Sequence, residues 1–447
     1  MSLWDIPLGM SQNWLPMDKG IDCGFSNGEV KNIVIDSLAD KLYVSGNFYY
    51  NGDCSPMRGI AQWTGTHWIP VGSGVQGIEY KYGMTMFHDT LFLGGNFYNV
   101  NTKNYLAKWD GALWDTIPGT PDITVLSYAE KDGILYMGMA FASNVVDSTF
   151  LLGKYDGSNC SSIFSPCEIG SSGFINAMAF YQDTLYVGGY YHMLPCKTLG
   201  SLGKWDGNRL QLVSPEFANN GANCNIKTMV EYKGELYVGG YFLQSNGYAG
   251  NNIMKWNGTS FSDVGGGTND GVICMKVYND KLYVGGNFTQ AGGIPSNYVA
   301  MWDGTTWNSI TTDTFDINIG APISVEAINV YHDSLIIGGM FTSINGDTAC
   351  RKVAKFNHAL TGIDEHYQNT QISIYPNPTE DILIIKANLI GIGAIEVRNP
   401  LGQIIIQQRQ VFNGSNIELR MNSLTPGVYL LSLETKSGRQ VARFVKN

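Results

Sequence analysis

An all-β chain is what the sequence predicts, and three observations predict it. A Leu-Tyr-Val-Gly-Gly-x-Phe phrase, in close or loose form, recurs seven times along the first 360 residues. Around the phrases lie short runs in which apolar and polar residues alternate, each ended by a Gly, Asn or Asp turn. That is the pattern of half-buried strands joined by tight turns. The composition agrees: 54 of 447 residues are glycine, 12% are aromatic and only 15% are charged, unlike a helix-rich or disordered chain.

The phrases begin at Leu42, Leu91, Leu135, Leu185, Leu236, Leu282 and Leu335, about 50 residues apart. Each is preceded by an alternating run, such as Ala177–Asp183 or Met275–Asp280. Each is followed by a second phrase ending in an aromatic: Gln62-Trp63, Lys108-Trp109, Lys154-Tyr155, Lys204-Trp205, Lys255-Trp256, Met301-Trp302 and Lys355-Phe356. A unit therefore reads as four antiparallel strands, a to d: the alternating run, the glycine-bearing phrase, the aromatic phrase, and a short segment after the Asp-Gly turn. Such units cannot bury both faces alone and stack as propeller blades. The glycine pair lets neighbouring backbones approach, and the strand-c aromatic fills the wedge between blades.

The seventh unit ends after strand c, at Phe356. The chain start, Asn13-Trp14-Leu15-Pro16-Met17, is similar to His67-Trp68-Ile69-Pro70-Val71, the fourth strand of the first unit. It is expected to complete the last blade and remove exposed edges. Residues 1–360 are thus expected to form a seven-bladed β-propeller of four-stranded blades, with the N-terminal strand closing the last one. Over residues 14–360 the Gly-Gly-x-Phe and Trp-Asp-Gly phrases resemble the kelch and galactose-oxidase-like group of bacterial propellers. The resemblance implies a fold and carries no activity with it.

Residues 361–371 read as a polar linker, and residues 372–447 as a small immunoglobulin-like β-sandwich. Its strands are expected at Ile372–Tyr375, Ile382–Lys386, Ala394–Arg398, Gln403–Gln408, Asn416–Arg420, Val428–Glu434 and Gln440–Lys446. Along them lie Tyr375-Pro376-Asn377-Pro378, Asn399-Pro400-Leu401-Gly402-Gln403, Leu424-x-x-Gly427-Val428-Tyr429 and the ending Phe444-Val445-Lys446. In order, spacing and terminal position these resemble the type A sorting domain of type IX secretion substrates, with Asn447 added after a lysine that usually sits at or near the end. The resemblance implies a secreted, cell-surface protein, its signal peptide absent from this chain. It implies recognition by the type IX translocon and its shuttle and attachment machinery, with Gly427, Tyr429, Phe444, Val445 and Lys446 as the secretion signal. In many members of the family a surface sortase removes the domain and joins the cargo to lipopolysaccharide.

Other classes are excluded on simple grounds. With 28 basic against 38 acidic residues the net charge is −10, which disfavours a nucleic-acid partner held by phosphate contacts. No run of 18 apolar residues exists, so no transmembrane helix is expected. The eight cysteines contain no Cys-x-x-Cys pair, against zinc ribbons and thioredoxin chemistry. Export makes disulfides more expected. Loops at the blade tops would place Cys23 near Cys54 and Cys167 near Cys196, with Cys196–Cys224 and Cys23–Cys350 as the competing set.

The search for catalytic chemistry finds none. Of six histidines, His88 and His332 fall in a–b turns and His358 and His366 beyond the last blade strand, which leaves His67 and His192, too few for a metal site. Arg58 and Arg351 lie in b–c loops, while Arg209 lies in a c–d turn on the opposite face, so the three cannot clamp one carboxylate. No catalytic, cofactor or metal residues are assigned and no cofactor is expected. The b–c loops instead offer Tyr49, Tyr50, Asp53, Tyr98, Tyr191, His192 and Tyr248, with Tyr80 and Tyr82 in a d–a loop on the same face. Aromatic rings among Asn, Gly and Asp suit contact with a sugar or a protein.

Asp-Ser/Thr pairs place hydroxyls at Ser37, Thr90, Thr116, Ser148, Thr184, Ser334 and Thr348. They resemble the O-glycosylation acceptor of bacteria that use type IX secretion, although Asp-Thr is also an ordinary turn dipeptide. The sequence thus predicts a secreted binding or scaffold protein whose propeller loops hold a glycan or a surface protein. A polysaccharide-acting enzyme, or a subunit of a surface motility or adhesion assembly, are the alternatives.

Overall fold

A computed structural model describes residues 14–23, 28–75, 83–99, 102–117, 119, 124–141, 152–163, 169–193, 198–213, 224–244, 248–317, 322–356, 373–386, 390–399, 404–413, 417–422, 424–435 and 438–446. The chain divides into two compact units, Met1–Thr361 and Gly362–Asn447.

The first unit is all-β. Glu29–Asp36, Lys41–Asn47, Ile60–Trp63 and Trp68–Pro70 form the first antiparallel sheet, and Met84–Phe87, Thr90–Asn99, Thr102–Trp109 and Trp114–Thr116 the second. The third holds Thr124–Lys131, Ile134–Phe141, Leu152–Tyr155 and Cys160–Ser162; the fourth holds Ile169–Tyr181, Thr184–Met193, Thr198–Trp205 and Leu210–Leu212. Asn225–Tyr232, Glu235–Tyr241, Ile253–Trp256 and Phe261–Asp263 make the fifth, and Val272–Tyr278, Lys281–Gly286, Val299–Trp302 and Trp307–Ser309 the sixth. The seventh takes Ser324–Tyr331, Ser334–Met340 and Val353–Phe356 from its own segment and Trp14–Pro16 from the chain start. Trp14 stands opposite Phe356 as Trp68 stands opposite Trp63 in the first sheet.

One departure from seven separate sheets is plain. Strand Ile169–Tyr181 is long enough for Phe174 and Gly173 to pair with Ala140 and Phe141, which joins the third and fourth sheets into one. No sheet closes on itself among the described residues.

Local chemistry explains the hairpins. Their first turns rest on two residues of positive φ at His88-Asp89, Asp132-Gly133, Gln182-Asp183, Lys233-Gly234, Asn279-Asp280 and His332-Asp333. Two such residues are the mark of a type I′ turn, whose twist matches that of the strands it joins.

Neighbouring sheets are tied by bonds that repeat. The tyrosine ending a first strand donates its hydroxyl to the hairpin turn of the next sheet: Tyr181 to Gly234 O at 3.0 Å, Tyr232 to Asp280 O at 2.9 Å, Tyr278 to Asp333 O at 3.2 Å. The fourth such bond, Tyr331 to Asp40 O at 3.2 Å, runs from the seventh sheet back to the first. Trp68, Trp114 and Trp307 donate their ring N–H to Met17, Val71 and Val264 O, each the residue just after the preceding sheet's fourth strand.

The apolar core lies between sheets. Tyr232, Tyr237 and Ile253 of the fifth, for example, pack with Val272, Leu282 and Trp302 of the sixth. At the junction of seventh and first sheets, a Cβ on Gly338 would lie 2.4 Å from Val30 Cγ1, so only glycine permits that approach. The chain start is locked in the same region. Trp14 is fully buried, meets the Phe356 ring edge-on at 4.9 Å, and donates its backbone N–H to Asp313 Oδ2 at 3.0 Å.

The second unit consists of two antiparallel sheets. Ser373–Tyr375, Ile382–Lys386 and Ile417–Arg420 form one; Ile404–Asn413, Ile390–Arg398, Gly427–Thr435 and Gly438–Lys446 form the other in that order. Alternate residues of each strand share a face. Leu383, Ile385, Ile395, Val397, Leu431 and Leu433 accordingly make a common core.

Candidate functional site

In six of the seven first strands the pairing register slips at the same point. The slips fall between Val30 and Asn32, Val125 and Ser127, Ile175 and Ala177, Ile226 and Thr228, Val272 and Cys274, and Val325 and Ala327. The skipped residues are Lys31, Leu126, Asn176, Lys227, Ile273 and Glu326, and a β-bulge frees such a residue from the ladder and re-aims its side chain. All six line one cavity of about 450 Å³. In the fourth and seventh sheets glycine makes room at the bulge: a Cβ on Gly189 would sit 2.0 Å from Phe174 O, and one on Gly339 2.1 Å from Ser324 O.

Charged and polar side chains of several sheets line the cavity. At the seventh and first sheets, Lys31 Nζ lies 2.9 Å from Glu29 Oε2 and 3.2 Å from Glu326 Oε2, while Ser324 donates to Glu326 Oε1 at 2.7 Å. Burial raises the Glu29 carboxyl above its ordinary value, with Lys31 opposing. Burial works against the charged form of Lys31 too, yet Glu326 and Glu29 outweigh it and leave its pKa raised. At the fifth sheet, Lys227 Nζ lies 5.9 Å from the centre of the Tyr241 ring. That ring is fixed from the sixth sheet: Tyr241 donates to Asn287 Oδ1 at 2.5 Å, and Asn287 donates onward to Ile323 O at 3.1 Å. Burial pushes the Tyr241 hydroxyl up to about 12, so it stays a neutral donor. Asn176 donates to Asn225 Oδ1 at 2.8 Å and Ile226 O at 3.2 Å.

None of the six bulge residues was marked by sequence reasoning. A signal exists: four occupy the strand-a position opposite the second-strand glycine pair, Lys31 the one opposite Ser45-Gly46 and Leu126 the one opposite Gly138-Met139.

The loop carrying Tyr49 and Tyr50 is rigidly built. Cys54 is joined by a disulfide to Cys23, Ile21 bridges Asn51, and Lys19 pairs with Asp53. Asn51 Oδ1 accepts from Asp53 N at 3.0 Å and Ser55 N at 2.9 Å, folding the loop on itself. Tyr49 is 47% exposed and its ring lies 5.7 Å from that of Tyr50. Tyr248 corrects the expectation of an exposed aromatic. It is 2% exposed, with its ring 5.4 Å from Phe242, and the loop turns it inward into the core between the fourth and fifth sheets. Tyr80, Tyr82, Cys167 and Cys196, and the side chains of Tyr98, Tyr191 and His192, lie outside the described residues.

The Asp-Ser/Thr hydroxyls divide by surroundings. Thr90, Thr184 and Ser334 each donate to the carbonyl two residues earlier, at His88, Gln182 and His332, and close their hairpins. Ser37, Thr116 and Thr348 are exposed, and Ser148 lies outside the described residues. Arg58 donates to Ser73 O and Arg351 to Asp22 O, whereas Arg209 sits in the turn capped by Asp206.

In the second unit the two ends of the sequence signal meet. Gly427 pairs with Lys446, Val428 with Val445 and Tyr429 with Phe444. The Tyr429 and Phe444 rings stack at 5.7 Å inside the core, and Gly427 is exposed. On the other side of the last strand the Tyr-Pro-Asn-Pro turn holds the same segment: Val445 N donates to Asn377 Oδ1 and Val445 O accepts from Thr379 N, both at 2.8 Å. Thr379 is fully buried and donates its hydroxyl to Ile382 O at 2.7 Å.

Among solved structures, the chain is similar to the extracellular domain of a one component system from B. thetaiotaomicron. The TM-score is 0.50 at 11% identity, covering 98% of this chain and 58% of that one. The chain thus spans less than two thirds of that relative, and the likeness is one of fold. BamB from Moraxella catarrhalis gives a TM-score of 0.37 at 10% identity, over 74% of this chain and 84% of its own. No curated protein sequence matches the chain. No helix among the described residues is long and apolar enough to cross a membrane. Residues 373–447 match the secretion system C-terminal sorting domain; the second unit is therefore a type IX sorting domain, and the protein is a secreted substrate of that system, addressed to the cell surface.

Proposed function

We propose that the first unit is a seven-bladed, kelch-like β-propeller which the sorting domain delivers to the cell surface, and that it binds a glycan there. One observation carries the reading: six bulge residues from six first strands meet in one concave cavity on a chain that bears an export domain. The tyrosine-to-turn bonds, ending in the return from Tyr331 to Asp40, support the ring. A glycan is favoured over a protein partner by the lining, which mixes amides, a hydroxyl and an aromatic ring in a concave space instead of a flat apolar patch. The stiff Tyr49-Tyr50 loop adds an aromatic contact at low entropic cost.

The test is a glycan array probed with the full-length protein and with a Tyr49→Ala/Tyr50→Ala variant. Retention on a carbohydrate class, weakened in the variant, is the expected result. Retention on no carbohydrate, with one exported protein co-purifying in fixed ratio, would make it an assembly subunit. Cleavage of an arrayed polysaccharide would make it an enzyme.

A further inference from the structure

We infer that Lys352 and Asp22 become joined by an isopeptide bond, an amide between their side chains, which ties the N-terminal segment covalently to the seventh sheet. Backbone pairing brings the two residues together. Ile21 N donates to Arg351 O at 3.0 Å, and the Arg351 guanidinium donates to Asp22 O at 3.3 Å. Gly20 permits the approach, because a Cβ there would lie 2.5 Å from Arg351 O. Lys352 is 0% and Asp22 1% exposed, and Lys352 Nζ finds no hydrogen-bond partner among the described residues. A buried ammonium left in that state is costly. The fifth sheet shows what the position ordinarily does. Asn252 makes the same backbone bonds there, and its side chain donates to Thr268 O at 2.9 Å and accepts from Phe242 N at 3.2 Å. Lys352 puts an amine in its place. Of the charges around that amine, Asp22 acts most strongly, followed by Arg351 and Glu29.

Amide formation needs a neutral amine, a neutral carboxyl group and a route for protons. Burial lowers the Lys352 pKa, with Asp22 opposing, and a desolvated lysine is an activated nucleophile. The proton that leaves the ammonium neutralises the Asp22 carboxylate. Lys352 Nζ then attacks Asp22 Cγ; the C–N bond forms, one C–O bond breaks, and the oxygen departs as water. Glu29, whose carboxyl burial raises even with Lys31 beside it, takes one proton from the nitrogen and returns one to the departing hydroxyl. Nothing is oxidised or reduced and no co-reactant is consumed. Cys23, the next residue, is already bonded to Cys54 of the first sheet. Two successive residues thus fasten the N-terminal segment to the sheets on either side of it.

The test is mass spectrometry of the purified full-length protein, reduced so that disulfides do not alter the mass. Expected is the sequence mass less one water, and a branched tryptic peptide in which Lys352 escapes cleavage and carries the segment of Asp22. Lys352→Met and Asp22→Ala should each restore the full sequence mass. Lys19→Met, which breaks only the exposed pair with Asp53, should keep the deficit. Glu29→Gln should leave most chains without the bond; a full deficit in that variant overturns the proton relay. The wild-type protein alone decides the bond itself, so a variant that fails to fold does not obscure the result. A full sequence mass with cleavage at Lys352, or a water loss mapped to another pair of residues, overturns the inference.

Discussion

Trp14→Ala probes the docking of the N-terminal strand on the seventh sheet. The side chain is fully buried, packs edge-on against Phe356 at 4.9 Å, and belongs to the core of the seventh sheet with Phe341 and Ile344. Burial of about 200 Å² of aromatic surface at about 25 cal/mol per Å² gives roughly 5 kcal/mol. Large-to-small core substitutions of this kind lose about 3–5 kcal/mol, and that is the expected loss here. The backbone bond to Asp313 does not depend on the side chain, so the strand has no reason to leave altogether. Urea unfolding of the full-length protein reads the effect cleanly by tryptophan fluorescence, since all ten tryptophans lie in the first unit. Leu113→Ala, at a side chain 70% exposed, is the control and should stay within about 0.5 kcal/mol. A loss under about 1 kcal/mol for Trp14→Ala would refute the reasoning, because an undocked N-terminal strand alone would allow it.

Three further outcomes follow from the same geometry. Gly338→Val drives a side chain into Val30 across the seventh-to-first junction and should cost about 1–3 kcal/mol in thermal unfolding; an unshifted midpoint would deny that contact. Asp303 has its pKa pulled down by the backbone N–H groups of Thr306 and Thr305, then by their hydroxyls, and Asp110, Asp156 and Asp206 are lowered by equivalent turn bonds. A folded pKa below the unfolded one stabilises above the unfolded value of about 3.9, and that stability is lost as pH falls through the folded pKa. Changing these four to Asn should flatten the acid limb of a melting-temperature profile while keeping the turns, because Asn257 already accepts from Thr259 N and Ser260 N at 2.9 Å in the same place; an unaltered acid limb would contradict it. Asn377→Ala removes the acceptor for Val445 N and should cost the sorting domain about 1 kcal/mol together with a lower exported fraction in cell fractionation. Wild-type export and stability would show the clamp to be incidental.

The strands were legible in the sequence because their signals are local. Lys41–Asn47 and Glu235–Tyr241 fall on their glycine-bearing phrases, and the sorting domain's strands fall within a few residues of expectation, Ile390–Arg398 and Ile404–Asn413 only running longer. The cavity was not legible, because it needs six registers at once. Lys31 and Lys227 look like ordinary polar positions of alternating strands until a bulge, opposite Ser45-Gly46 and Gly239-Gly240 respectively, turns them inward. The glycines were read for the approach of neighbouring sheets; the paired carbonyl that the second glycine accommodates is invisible without the pairing. Tyr248 was misplaced for a related reason. Loop membership suggested exposure, whereas packing on Phe242 decides its burial. The joined third and fourth sheets arise from strand length at Ile169–Tyr181, which no repeat phrase encodes. In the sorting domain both motifs were read, but the bond from Val445 to Asn377, 68 residues apart, belongs to the fold alone.

Secretion addressed by the terminal domain is the central claim, and fractionation of producing cells tests it most directly. The full chain and a chain truncated after residue 361 would be traced through periplasm, cell surface and medium by an antibody to the first unit. The account predicts the full chain outside the outer membrane and the truncated one folded but retained in the periplasm. Equal export of both chains, or periplasmic retention of both, would contradict it.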